Sequence, residues 1–410
     1  MVRGGGRGAT MGPMRVFRAG SVFDGHSLRP SSEVLVDDGG VVLEVRPVRP
    51  APDGVRVVDH GPGTTLLPGL VDGHQHLSWG CKPSALDGLP EGRAAQRSQA
   101  LANARRALAG GVTTVQDLGD SDYAVVEVRD AGRTDRSLPR ILASGPPITT
   151  PRGHCHFLVG AETRAVDIPA AVARRAERGV DVLKVMVSGG NITPGSLPWQ
   201  SQFDEAALRL LVESAHGAGI PVAAHAHGAA ALRACVTAGV DAIEHSTFMT
   251  ADGVDADPAL LRDLAESGIV VRITPGSVPG GPPPPPALAA RMPMIVDRLL
   301  SLWRAEARMV VATDAGIGPG KPHDALAYSV LDLAAATGDP LGALRAATSR
   351  AADALGLTDT CGRLAPGHTA DLLVVRGHAA TDVGALLDVE AVYREGELVA
   401  GPSSRPRPPG

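Results

Sequence analysis

The feature that most restricts how this chain can fold is a pattern repeated through its middle: a short valine-rich run, a loop, then a stretch with apolar residues at helical spacing. The runs are "LLPGLVDGHQH", "GVTTVQD", "PRILASG", "DVLKVMVSGG", "IPVAAHAHG", "GVDAIEHST", "GIVVRITPG" and "ARMVVATDAG". Runs of this length rich in Val and Ile read as buried strands. The stretches between them, such as "RAAQRSQALANARRALAG" and "DEAALRLLVESAHGAG", read as amphipathic helices that stop at glycine. Eight strands alternating with helices predict an α/β fold built on a parallel (β/α)8 TIM barrel, assigned to residues 66–358.

The flanks have a different texture. From Met14 to about Val58, short β-prone pieces are separated by Gly, Pro and Asp turns, and "GRLAPGHTADLLVVRG" and "VEAVYREGELVAG" near the other end share that character. Residues 14–65 and 359–401 are therefore expected to pair into one small, antiparallel β-sandwich domain. Residues 1–13 and 402–410, rich in Gly, Pro, Ser and Arg, are expected to be disordered. The insert "GGPPPPPALAARMP" after the seventh strand cannot be regular helix or sheet at its prolines. Two readings stay open for it: a surface spacer, or one wall of a substrate pocket, because that loop leaves the active face of a barrel.

The chain has 410 residues and a formal net charge of −5 with scattered basic residues, which argues against a nucleic-acid surface. No apolar run approaches the ~18 residues of a membrane span. The start carries no continuous apolar segment of a secretory signal, so a cytoplasmic enzyme is expected, handling a small-molecule substrate as a homo-oligomer. Cys81, Cys155, Cys235 and Cys361 lie far apart without a C-x-x-C pair, which argues against a disulfide framework or a cysteine-rich zinc site.

Candidate chemistry gathers at strand ends. In "LLPGLVDGHQHLSWG", His74 and His76 are two residues apart, so in an extended strand both rings point the same way. His225 and His227 end the fifth strand, His245 the sixth and Asp314 the eighth, at the end where barrel active sites form. Lys184 in "GVDVLKVMVSGG" is flanked by valine, leucine and methionine, and an unpaired buried ammonium is costly. Burial lowers a lysine pKa and exposes an amine that can add carbon dioxide, giving a carbamate with two oxygens able to bridge two cations. The plainer alternative is an amine reaching solvent from the strand end.

The set "PGLVDGHQH", "LKVMVSGG", "HAHG", "IEHST", "ATDAG" and "GRLAPGHTADLLVV" resembles the metal-dependent amidohydrolase superfamily. "SGGNITPGSLPWQSQFDEAAL" followed by "HAHG" is similar, more narrowly, to its Xaa-Pro dipeptidase and imidazolonepropionase-like branch. The resemblance implies a barrel with a β-sandwich and two divalent ions, expected to be Zn2+. It implies that His74, His76 and Asp314 hold one ion, that His225 and His245 hold the other, and that Lys184 bridges them as a carbon dioxide-derived carbamate. Catalysis by Asp314 and Lys184 would then cleave the amide bond of a dipeptide or N-acyl amino acid through attack of a metal-bridging hydroxide, with Asp314 moving the proton. His154 and His227 are implied to bind the anionic end of the substrate, and Arg152 in "TTPRGHCHF" is an additional substrate-binding candidate. The alternatives are hydrolysis of a cyclic amide of imidazolone type, or of an aromatic amide or carbamate, and a catalytically inactive barrel scaffold.

Overall fold

The computed structural model describes residues 14–408 apart from Asp53, Ala256 and Pro285; the expectations for residues 1–13 and 409–410 lie outside the described residues. The barrel strands are β1 (Leu70–Gln75), β2 (Val112–Asp117), β3 (Arg140–Ala143), β4 (Leu183–Met186), β5 (Val222–Gly228), β6 (Ala242–Met249), β7 (Val270–Ile273) and β8 (Met309–Val311). They pair in parallel as β1–β2–β3 and β4–β5–β6–β7–β8. Two single parallel bridges, Ile148 with Val185 and Gln75 with Ala315, close the ring. This is the expected TIM-barrel-like fold. Helices form where the sequence places them; "DEAALRLL" starts a helix at Glu205–Gly217 because the Asp204 carboxylate accepts the Ala207 N–H.

Strand alternation sorts the side chains into two cores. Outward-facing Val185, Ala224, Ile243, Val271 and Val311 join the large apolar layer shared with the helices. Inward-facing Val71, Val182, Ala223, Ala242, Val270 and Val310 form a separate cluster, closed by Ala351 and Ala352 of the helix Ser349–Ala354 and by Cys361. Each buried valine or isoleucine among them contributes on the order of 1.5–3 kcal/mol. Two residues further along the same inner faces the apolar layer gives way to Lys184, His225, Glu244 and Arg272, all buried. The lower barrel is therefore a greasy plug and the level above it is charged.

Strands from the two ends of the chain share a sheet. Leu372–Arg376 lies antiparallel to Thr64–Pro68, in a sheet that also holds Ser21–Phe23, Leu28–Pro30, Asp388–Arg394 and Glu397–Ala400. A four-stranded sheet of Val42–Pro47, Ser32–Val36, Arg15–Arg18 and Arg56–Asp59 shares a core with it through Phe17, Val34, Leu66, Leu372, Val374 and Tyr393. Three expectations are corrected. The pairing is not wholly antiparallel, since Arg15–Arg18 runs parallel to Arg56–Asp59 and Ser21–Phe23 parallel to Thr64–Pro68. Thr64–Pro68 crosses the boundary drawn at residue 65, because its hydrogen bonds go to the terminal sheet and not to the barrel. The tail expected to be disordered from 402 is ordered through residue 408. Ser403–Ser404 adds to Asp388–Arg394, Arg405 pairs with Asp324 at 3.0 Å, and the Tyr328 hydroxyl donates to the Pro406 carbonyl at 2.8 Å. Backbone pairing and an ion pair hold a segment too poor in apolar residues to be read as packed.

Candidate active site

The six strand-end residues singled out in the sequence meet at the C-terminal mouth of the barrel with Lys184. His74 Nε2 and His76 Nε2 lie 3.3 and 3.1 Å from the same oxygen, Asp314 Oδ1. Asp72, the acid of the opening motif, does not enter the cavity. It accepts from Thr313 Oγ1 at 2.7 Å and from Gln75 Nε2 at 2.8 Å, which ties β1 to the segment after β8 and sets the spacing of His74 and Asp314. His225, His227 and His245 form a second trio. Within each trio the ligand atoms lie within 4.8 Å of one another, and all six residues are buried.

The rings are oriented from behind. His76 Nδ1 is 3.1 Å from the Gly119 carbonyl, His225 Nε2 is 3.0 Å from the Gly189 carbonyl, and His245 Nδ1 is 2.9 Å from Thr274 Oγ1. Each anchored nitrogen leaves the other for the centre, the arrangement metal-bound histidines use. His227 is anchored likewise, Nδ1 to Thr247 Oγ1 at 3.0 Å, and its ring stacks on His245 with centroids 4.5 Å apart. The sequence reading placed His227 toward substrate; its side chain stands within the second trio. His245 reaches the cavity by an irregularity, since alternation along β6 turns Glu244 inward and would turn His245 outward. A left-handed backbone at His245 (φ 73°) and Ser246 (φ 51°) turns the ring in.

Electrostatics match this grouping. Burial lowers Lys184, against the upward pull of Glu244 and Asp314, and its Nζ has no hydrogen-bond partner. Burial also holds His74, His225 and His245 well below the usual imidazole value, so they are neutral donors of lone pairs. Burial alone would raise Asp314, but the facing His74 and His76 rings more than offset it and hold the carboxyl at about 2. His76 moves the other way, lowered by burial but raised further by its contact with Asp314. An orphaned buried amine, neutral imidazoles and an ionised carboxylate suit divalent zinc.

The cavity above has a volume of about 290 Å3. His154 lines it, stacked on His225 with centroids 4.8 Å apart. A Cβ at residue 190 would sit 2.4 Å from His154 Nε2, so Gly190 makes room for that ring. Burial lowers His154 to about 3 and His227 to about 4. Arg152 is corrected: it is exposed, turned out of the cavity at a left-handed position (φ 61°), and lines no part of it. No arginine lines the cavity among the described residues. Lys321 reaches it, but its ammonium donates to the carbonyls of Thr274, Pro275 and Thr313 at 2.7, 3.1 and 2.9 Å and staples β7 to β8.

The rest of the wall is apolar. Pro282, Pro283 and Pro284 are exposed, and the wall is built by residues C-terminal to them: Leu288, then Met292, Ile295, Val296 and Leu299 on one face of the helix Met292–Arg304. Trp79, Leu158, Met186 and Ile192 face the same space. The sequence reading missed this helix face because a 3.6-residue apolar stripe looks the same whether it covers a core or lines a pocket.

Imidazoles and a carboxylate converging at the strand ends of a TIM-type barrel are the make-up of a metal-dependent hydrolase. The profile of the Amidohydrolase family matches residues 65–399, and the chain belongs to that family. It is 24% identical over 381 residues to ochratoxinase of Aspergillus niger, covering 83% of this chain and 77% of that one. It is 29% identical over 392 residues to imidazolonepropionase of Ralstonia nicotianae, covering 86% and 88%. Among solved structures, a Xaa-Pro dipeptidase with bound methionine in its active site superposes with a TM-score of 0.80 at 26% identity, over 94% of this chain and 99% of that one. Among the described residues no helix is long and apolar enough to cross a membrane.

Proposed function

We propose that this protein is a binuclear metal-dependent amidohydrolase that cleaves the amide bond of a dipeptide or N-acyl amino acid bearing a bulky apolar group. The observation that carries the reading is the pair of buried trios, His74, His76 and Asp314 against His225, His227 and His245, sharing a cavity with the unpaired amine of Lys184. The residues that would hold the ions are His74, His76 and Asp314 for one and His225 and His245 for the other, with Lys184 as the carbamate between them. Bound there, two zinc ions supply an activated water and polarise the scissile carbonyl. Asp314 takes the proton of the attacking water at Oδ and passes it to the departing amine. Trp79 and the face of the helix Met292–Arg304 exclude solvent and hold the apolar part of the substrate.

The test is zinc loading, then elemental analysis and a substrate screen. Two ions per chain and turnover of dipeptides or N-acyl amino acids are expected; a single ion at saturation sinks the binuclear reading.

A second reading, hydrolysis of an aromatic amide or carbamate, is favoured by the apolar wall and by the lack of a lining arginine among the described residues. His154 and His227 decide between the two. If they hold the carboxylate of an N-acyl amino acid, His154→Ala and His227→Ala lose kcat/KM by about 1–3 kcal/mol each. The loss shrinks for substrates whose carboxylate is amidated, because the contact is already absent. Equal losses for free-acid and amidated substrates in both variants would show that these histidines read no carboxylate, and the dipeptidase reading would yield to the cyclic-amide or aromatic-amide alternative.

A further inference from the structure

The strand-end histidines are each held from behind, and the partner of His74 is of a different kind from the rest. His76, His225 and His245 rest on a neutral oxygen, whereas His74 Nδ1 faces a carboxylate, Glu244 Oε2, at 2.7 Å. The two atoms are close but out of hydrogen-bond alignment, and neither has another hydrogen-bond partner. The other oxygen, Glu244 Oε1, pairs with Arg272 Nη1 at 2.6 Å. Register accounts for the pairing, since Glu244 of β6 and Arg272 of β7 are direct neighbours on the inner face. The guanidinium lies against Gly73, where an added Cβ would meet Arg272 Nε at 2.7 Å, so a glycine next to His74 admits it. Glu244 and Arg272 are 0% and 2% exposed, shielded from bulk solvent.

A buried ion pair is weak evidence for stability, because well-packed apolar residues of similar volume do as well or better. Its orientation gives it another use. A carboxylate held by arginine on one oxygen offers the second as acceptor, and a rotation of the ring into line puts the His74 proton on Nδ1. Nε2 then keeps its lone pair for the ion that His74, His76 and Asp314 would hold.

We propose that Glu244, held by Arg272, is a positioning residue that fixes the Nδ1–H tautomer and ring orientation of His74. The inference rests on the proposed metal centre only in its consequence, that the site formed by His74, His76 and Asp314 binds zinc more tightly for it. Carboxylate partners of this kind are worth about 10–100-fold in metal affinity.

Glu244→Leu alone strands a buried guanidinium, so the deciding variant is Glu244→Leu with Arg272→Leu, which removes both charges and keeps the volume apolar. Nitrogen NMR of the ion-free parent is expected to show His74 protonated at Nδ1, and the double variant a mixture of tautomers or the Nε2–H form. On zinc titration against a competing chelator, one of two sites is expected to weaken about 10–100-fold while the melting temperature holds or rises. A double variant that keeps the Nδ1–H tautomer and both zinc affinities would overturn the proposal and leave the ion pair as packing. A parent that binds no zinc sinks the metal-centre reading, and the tautomer still decides the role of Glu244.

Discussion

Asp314→Asn is expected to lower kcat by about 10²–10⁴ in the zinc-loaded protein, whatever the substrate, the range that a positioned acid–base group supplies. In free energy this is roughly 3–5 kcal/mol, at about 1.4 kcal/mol per decade of rate. Asparagine keeps an oxygen for the imidazoles of His74 and His76 but cannot accept and return a proton. The carboxylate is suited to that task because of where its low pKa originates. Its Oδ1 lies against two ring nitrogens, and the nearer, on His76, is itself shifted toward the protonated form. In the loaded site His76 is a neutral ligand. Asp314 then stays ionised beside the ion that it, His74 and His76 would hold, a carboxylate within reach of the reacting water. Zinc content must be measured alongside kcat, so that lost proton transfer is separated from lost metal. A variant that retains both ions and turns over within tenfold of the parent would remove Asp314 from the proposed mechanism.

How much of this could be read from the sequence depended on whether a residue departed from its surroundings. The barrel was legible because eight valine-rich runs alternate with helical stretches, the number of strand–helix units that a closed parallel barrel takes. His225 and Asp314 were legible because alternation beyond an apolar run puts them on the inner side at the mouth, and His74 and His76 because their spacing of two keeps them together, with a register shift between Asp72 and Gln75 interrupting the alternation that starts from inward-facing Val71. Lys184 was legible because an ammonium among valines is expensive. Applied evenly, the same rule would have exposed Glu244 in "GVDAIEHST" and Arg272 in "GIVVRITPG", both charged residues inside apolar strands. Glu244 is masked by the adjacent His245, although by alternation Glu244 is the residue that faces inward and His245 needs a left-handed backbone to join it.

The misreadings have a common physical source. Arg152 is in the right loop, but a loop side chain has no alternation to aim it, and it lies exposed outside the cavity lining. The ordered tail depends on partners distant in sequence, Asp324 and Tyr328, which no local pattern reveals. The apolar cavity wall on the helix Met292–Arg304 is indistinguishable in sequence from a core face until the neighbouring strands are in place.

Lys184→Ala is the remaining change of large expected effect, and it separates a bridging carbamate from a bare amine. The side chain is 1% exposed, its Nζ has no hydrogen-bond partner, and burial lowers it from the ordinary lysine range. Deleting an unsatisfied buried amine removes no hydrogen bond, so the ion-free variant is expected to hold or gain in melting temperature. Its zinc content is expected to fall below two ions and kcat to drop by at least about 10², because the ligand between the two sites is gone. Acetate or propionate should then restore part of both, since a small carboxylate fits the vacated space and offers the same two oxygens as a carbamate. Methylamine, which supplies the amine without the oxygens, should restore neither. Rescue by methylamine and not by acetate would show that the nitrogen itself is the functional group. Full activity with both ions bound in the variant would mean that Lys184 is no bridge at all, and that the two trios hold their ions independently.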